Sequence, residues 1–200
     1  MTEGIRGRPM DKPNLNPKSL ANSLFVKRHK ARQALGILLL VLIAVVSEPT
    51  LPGLYIAGAV IGSAGIVFRL WAAGYLKKDK ELAQDGPYAL VRHPLYVGNA
   101  LIFLGYLAAG QILWMLPVAI LFAAFYYPPA IRQEDAKLRK LFGEQWDRWY
   151  AETWALLPKW PTRPLNITHW SFNQSLRANG EPVIAAALVL GLVVMGMRVL

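Results

Sequence analysis

Leu54–Leu76 reads LYIAGAVIGSAGIVFRLWAAGYL, an apolar run whose single interior charge is Arg69. An α-helix rises 1.5 Å per residue, so about 20 such residues cross the hydrocarbon core of a bilayer. This run is long enough outright. Three further blocks are almost free of charge: Ala34–Val46, Val97–Ala130 and Val183–Leu200. The first and last are slightly short and need tilt or help from flanking residues. The third is too long for one crossing and suits two, with Ala109-Gly110-Gln111 as the turn between them. The expected fold is therefore all-α, a polytopic membrane protein of about five transmembrane helices with a helical hairpin among them. A soluble fold would have to cover four or five helices apolar on every face within 200 residues, which so small a domain cannot do.

Composition agrees with that reading. Hydrophobic residues are 54% of the chain and charged residues 17%, below the roughly 25% of soluble domains. A net charge of +10 suggests nucleic acid until its placement is read. One basic group, from Arg6 to Arg32, precedes the first span. Lys77, Lys78, Lys80 and Arg92 follow the second, and a third group, from Arg132 to Arg177, lies between the fourth and fifth. Ser47–Gly53 and Ala109–Gln111, the turns on the other side, hold neither Lys nor Arg. This is the positive-inside pattern, and it puts the N-terminus and both long loops in the cytosol. The partner implied is a lipid bilayer with anionic headgroups, not a nucleic acid. The absence of Cys excludes disulfides and thiolate chemistry.

Residues 1–33 read as a Pro- and Gly-rich cytosolic leader followed, from Ser19, by an interfacial helix; the polar start argues against a secretory signal. Residues 34–200 form one transmembrane domain, ending in a last span over 183–200. Gly58, Gly62 and Gly65, and later Ala187 and Gly191, are spaced for close helix packing, within one monomer or across a dimer. Nothing in the sequence requires a second copy. Pro117, Pro128 and Pro129 are expected to kink or end the fourth span, and Gln133–Ala155 to form a separate amphipathic helix with Trp146, Trp149 and Trp154 at the interface. Residues 161–182 read as polar and irregular; the sequons at Asn166 and Asn173 carry no meaning in a cytosolic loop.

Two polar clusters break the apolar pattern. One is Asp85–Asn99, DGPYALVRHPLYVGN, and the other Arg132-Gln133-Glu134-Asp135. The hairpin between them rises over about 14 residues, roughly 21 Å, and returns over about 19, roughly 28 Å. Both clusters thus emerge on one membrane face, setting an arginine, a histidine and a carboxylate pair around one pocket. Taken singly, each has a plainer reading: Arg92 and His93 at phospholipid headgroups, Glu134 at a helix start.

Taken together, GPYALVRHPLYVGN and IRQEDAKLRKLFGEQWDRWYAETWALLP resemble the isoprenylcysteine carboxyl methyltransferase family, whose wider group includes the phospholipid N-methyltransferases. The shared pattern is G-P-Y, R-H-P-x-Y-x-G and, after a hairpin, E-E-x-x-L-x-x-x-F-G with aromatics and a closing proline. The resemblance covers residues 69–158 and implies a cytosolic pocket for S-adenosylmethionine. In that pocket Lys80, Leu82 and Ala83 would flank the adenosine. Gly86, Tyr88, His93, Pro94 and Tyr96 would surround the cofactor, and Arg92 and His93 suit its carboxylate. Glu134 would meet the cofactor's ammonium or the acceptor, with Glu134 and Arg92 as the catalytic pair. Arg69, Asn99 and Trp146 fall to the acceptor side. The chain departs from the pattern at Asp135, where the family has glutamate, and at Trp146 and Trp149, where it has tyrosines. No metal is implied.

The implied reaction is methyl transfer to a lipid-like or isoprenoid-bearing acceptor: a carboxylate, which needs no base, or an amine, for which Glu134 is the candidate base. An NADPH-dependent membrane reductase of the sterol reductase type and a non-catalytic membrane partner are the alternatives. Arg69, inside a span, is a functional candidate by position. It can pair with an acidic headgroup or Glu134, or snorkel to the cytosolic edge. A gap near Arg69 and Tyr96 is expected to admit the acceptor sideways from the bilayer. Reporter fusions test this topology: the 77–96 and 132–182 segments should both report the cytosol and the Ser47–Gly53 turn the opposite side. Long segments reporting opposite sides would overturn it.

Overall fold

A computed structural model describes residues 35–77, 80–161, 166, 168, 170–175 and 181–200. The chain divides into Met1–Gly36 and Ile37–Leu200, and the architecture below is that of the second unit. The leader and interfacial helix expected over 1–33 lie outside the described residues. The rest is helical: α1 Leu35–Val46, α2 Pro52–Ala73, the short α3 Pro87–Leu90, α4 Pro94–Ala109, α5 Leu116–Phe142, α6 Glu144–Glu152 and α7 Glu181–Val199. Among the described residues, three helices are long and apolar enough to cross a membrane: α2, α5 with its leading 3-10 turn (Leu113–Phe142), and α7. The blocks expected to supply the first and third crossings form α1 and α4, which are apolar but shorter.

The core begins where α2 meets α4. Gly58, Gly62 and Gly65 on α2 face Gly98, Ile102, Gly105 and Ala109 on α4, and the two backbones touch. A Cβ placed on Gly105 would lie 2.5 Å from the Cα of Gly62, and one on Gly65 would lie 2.7 Å from the nitrogen of Ile102. The small-residue spacing therefore serves packing within the monomer. α7 docks on this pair through two tyrosines. The hydroxyl of Tyr55 donates to the Leu192 carbonyl at 3.0 Å, and that of Tyr106 to the Leu188 carbonyl. Gly191 makes room for the Tyr106 hydroxyl, which a Cβ there would approach to 2.6 Å.

The outer turns meet at one end of this bundle. Gln111 donates to the Leu51 carbonyl (2.9 Å) and accepts from the Thr50 amide (3.0 Å). Arg198, near the end of α7, caps α1 through the carbonyls of Ala44, Val45 and Ser47. At the opposite end, residues 170–175 close α2. Trp170 donates to the Trp71 carbonyl, Ser175 to that of Leu70 and Gln174 to that of Leu76, satisfying carbonyls that a helix end leaves open. A stretch that reads as irregular is thus a cap.

The structure corrects the sequence reading at α5. Pro128 and Pro129 lie inside one 27-residue helix, so Gln133–Phe142 continues the span instead of opening a new helix. Each proline removes one N–H and crowds a carbonyl, which does not force the chain to stop. The break falls at Gly143, whose φ of +52° suits glycine. α6 then begins at Glu144. α5 has no buried residue.

Because backbone, not a flexible side chain, opposes a Cβ at Gly105, Gly105→Ala should destabilise by about 3 kcal/mol. Gly53, with nothing within 4 Å, should tolerate alanine or gain up to about 1 kcal/mol. Thermal unfolding in detergent compares them, and equal midpoints would refute the backbone contact.

Candidate functional site

The site forms at the end of α2 and the start of α4. Gly86, at φ +57°, turns the chain into α3, and a Cβ there would come within 2.6 Å of the Tyr75 ring. The next residues are stitched to the segment after α6: the Arg92 amide donates to the Trp154 carbonyl (2.8 Å), the His93 amide to that of Ala155 (3.0 Å) and the Lys159 amide to that of Leu90 (2.9 Å). Trp149 adds a bond from its indole to the Tyr88 carbonyl, 3.1 Å. His93 then caps α4 with Pro94 behind it, a residue whose fixed φ suits a first turn.

From that position the His93 ring, 3% exposed, lies between two acids of α5. Its Nε2 is 3.1 Å from Asp135 and its Nδ1 3.6 Å from Glu134. One turn along α4, the Tyr96 hydroxyl donates to Glu134 at 3.2 Å. Tyr127 packs on Tyr96, their ring centroids 5.2 Å apart. Asp135 is 15% exposed and Glu134 42%, so Glu134 is the member of the cluster open to a ligand or to water. Residues some forty positions apart thus meet as the hairpin argument requires.

Arg92 does not join them. Its guanidinium is buried, bonded to the carbonyls of Tyr150 and Thr153 and stacked over the Tyr150 ring, 3.9 Å from the centroid. Two backbone acceptors and an aromatic face tie its guanidinium to the α6 segment, while its Nε is buried without a partner. Arg69 differs too. Its partner is Glu181, at the head of α7, through three bonds of 2.6–3.1 Å, and it also donates to Asn99. This pairing stands in place of the headgroup, Glu134 and snorkelling alternatives. Trp146, expected at the acceptor, is buried in an inner aromatic cluster with Ala72, Tyr75, Tyr88 and Trp149.

Leu82 and Ala83 pack against that cluster and, with Tyr75, Lys77, Glu81, Gln84 and Asp85, line a cavity of about 180 Å³. Lys80 is exposed beside it. Among the described residues, the buried side-chain polar atoms without a partner are the hydroxyls of Ser47 and Tyr75, the Arg92 Nε and the Trp146 indole N–H, and of these only Tyr75 lines the cavity. A hollow with apolar and polar lining and one open hydroxyl is compatible in its chemistry with an adenosyl group. Burial pushes the Tyr88 phenol well above its usual value, the charges of Glu134 and Glu181 add to this, and Arg69 opposes it. Tyr88 is therefore a neutral hydroxyl. Glu181, Tyr75 and Tyr127 were not singled out from sequence; the one available signal was that Glu181 is the lone acid at the head of the last span, as Arg69 is the lone base within the second.

Comparison with known proteins completes the picture. The cobalt-zinc-cadmium resistance protein CzcN of Cupriavidus metallidurans is 44% identical over 84 residues, 41% of this chain and 39% of the relative. The nickel-cobalt-cadmium resistance protein NccN of Alcaligenes xylosoxydans xylosoxydans is 33% identical over 144 residues, 68% of this chain and 67% of the relative. The chain thus spans about two fifths of the first relative's length and two thirds of the second's. No solved structure matches. The profile of the phospholipid methyltransferases matches residues 31–145, more than half the chain, with His93, Tyr96, Glu134 and Asp135 inside it, and the chain belongs to that family.

Proposed function

We propose that this protein transfers a methyl group from S-adenosylmethionine to an amine of a lipid-like acceptor at the cytosolic membrane face. The carrying observation is the charge of the cleft. Glu134 and Asp135 flank His93, while both nearby arginines are already engaged, Arg69 by Glu181 and Arg92 by two carbonyls. A carboxylate acceptor would meet two acids there, whereas an ammonium meets acids and the faces of Tyr96 and Tyr127.

S-adenosylmethionine, when bound, supplies an electrophilic methyl on a sulfonium. The chain's residues do the rest. Leu82, Ala83 and Tyr75 enclose the adenosyl end, with Lys80 at the rim and Gly86, Tyr88 and Pro94 shaping the loop around it. Glu134 takes the acceptor nitrogen's proton and, being half exposed, returns it to water. Tyr96 and His93 orient that carboxylate. Arg92, through α6, keeps Trp146 over the cluster's closed side. Asn99 and Arg69 back the acceptor end. The work left to the fold is alignment and exclusion of water.

The relatives' names speak of resistance to cobalt, zinc, cadmium and nickel. In this reading methyl transfer would reach such a trait through the membrane lipid. Among the described residues no group of three or more His, Cys, Asp or Glu side chains is placed to hold a metal ion, and the sequence has no Cys.

Calorimetric titration of the purified protein should show binding of S-adenosylmethionine and none of NADPH; the reverse would replace the proposal with the reductase reading. Glu134→Gln should lower turnover of an ethanolamine lipid by about 10²–10⁴-fold and change cofactor affinity far less. Full turnover in that variant would remove Glu134 from the mechanism.

A further inference from the structure

We propose that Glu181 is a specificity-determining residue of the cleft: by neutralising Arg69 it keeps the cleft's net charge negative, so that a cationic ligand is preferred over a neutral or anionic one. The proposal rests on the methyl-transfer reading above.

The geometry puts the pair beneath the site. Arg69 lies buried on α2, and a Cβ on Gly98 would overlap its stem, so the side chain runs against the α4 backbone. Its guanidinium reaches Asn99, three residues after Tyr96, on the same face of α4. Tyr96 in turn bonds Glu134. The ion pair is therefore linked to the candidate base through one turn of α4, from Asn99 to Tyr96. Tyr88, in the loop expected around the cofactor, lies within the field of Glu134, Glu181 and Arg69 alike.

A purely structural role explains the pair poorly. α7 is already docked by Tyr55 and Tyr106, each bonded to a carbonyl of α7, and by close packing at Gly191. A buried ion pair adds little stability over an apolar pair of similar volume. What it does add is a fixed charge balance. Without Glu181, the Arg69 cation would stand uncancelled beside a cleft that must receive a sulfonium. In a partly desolvated site, with an effective dielectric near 20, one uncovered unit charge alters the affinity of a charged ligand on the order of tenfold.

S-adenosylmethionine and S-adenosylhomocysteine provide the probe, because they differ by one methyl group and its positive charge. Calorimetry on the full chain in lipid nanodiscs gives the ratio of their affinities, and thermal unfolding confirms that each variant is folded. Glu181→Gln should move the ratio about tenfold against the sulfonium, and Arg69→Gln about tenfold towards it. The double variant should return it to the wild-type value. Asn99→Asp, nearly isosteric and still able to accept from Arg69, should raise the ratio and keeps the test open where a single charge deletion fails to fold. A ratio that stays constant while both affinities fall would make the pair a structural latch and overturn the proposal. Wild-type protein that binds neither ligand would overturn the methyl-transfer reading itself.

Discussion

The contact between α2 and α4 places everything else. Its glycines let the two backbones touch, and in a membrane that closeness is what packing can offer, since lipid tails compete equally well for larger apolar side chains. Once the helices are in register, the end of α2 lies beside the start of α4. Arg69 and Tyr75 belong to the first of these ends, His93 and Tyr96 to the second. The hairpin then returns Glu134 and Asp135 to the same level. A bulkier interface would move α2 from α4 by the thickness of a side chain, enough to lose the hydrogen bond from Arg69 to Asn99 that joins them.

Three arginines in the helical bundle are each held by several partners. Arg69 has a carboxylate and an amide, Arg92 two carbonyls and a ring, Arg198 three carbonyls. Each arginine is thereby turned into part of the framework, as expected where desolvation is costly and a guanidinium has five donors to satisfy. The acids at the site are treated differently. Glu134 keeps a large exposed fraction although His93 and Tyr96 both approach it. The contrast between engaged cations and one accessible carboxylate gives the cleft its chemical character, and it depends on side-chain partners, not on composition.

That is also why the sequence disclosed the fold class and the site's neighbourhood better than its internal roles. Apolar runs and the glycine spacing are local signals, and they located α2, α4, α7 and the turn at Gly110. The meeting of His93 with Glu134 and Asp135 followed from helix rise alone. Arg92 and Arg69 were another matter, since what a guanidinium binds is decided by carbonyls and acids brought near only by tertiary packing. Glu181, more than a hundred residues from Arg69, carries no local mark of that pairing. The prolines misled for a related reason. Pro128 and Pro129 weaken a helix locally, yet the helix continues to Phe142 and stops at a glycine.

In the proposed amine methylation, the position of Glu134 would reconcile two demands that oppose each other. The reacting atoms need a dry, aligned setting, but the proton taken from the nitrogen must leave. A base buried as deeply as His93 would hold the proton against a barrier of desolvation; one in open water would admit hydration at the reacting nitrogen. Glu134 sits on the last part of α5, where the helix leaves its apolar stretch, bonded by the Tyr96 hydroxyl and still 42% exposed. The unbroken passage of α5 through its two prolines therefore has a functional consequence. It carries the carboxylate on one helix from an apolar stretch into a charged one, and in the proposed reaction that is where both demands would be met.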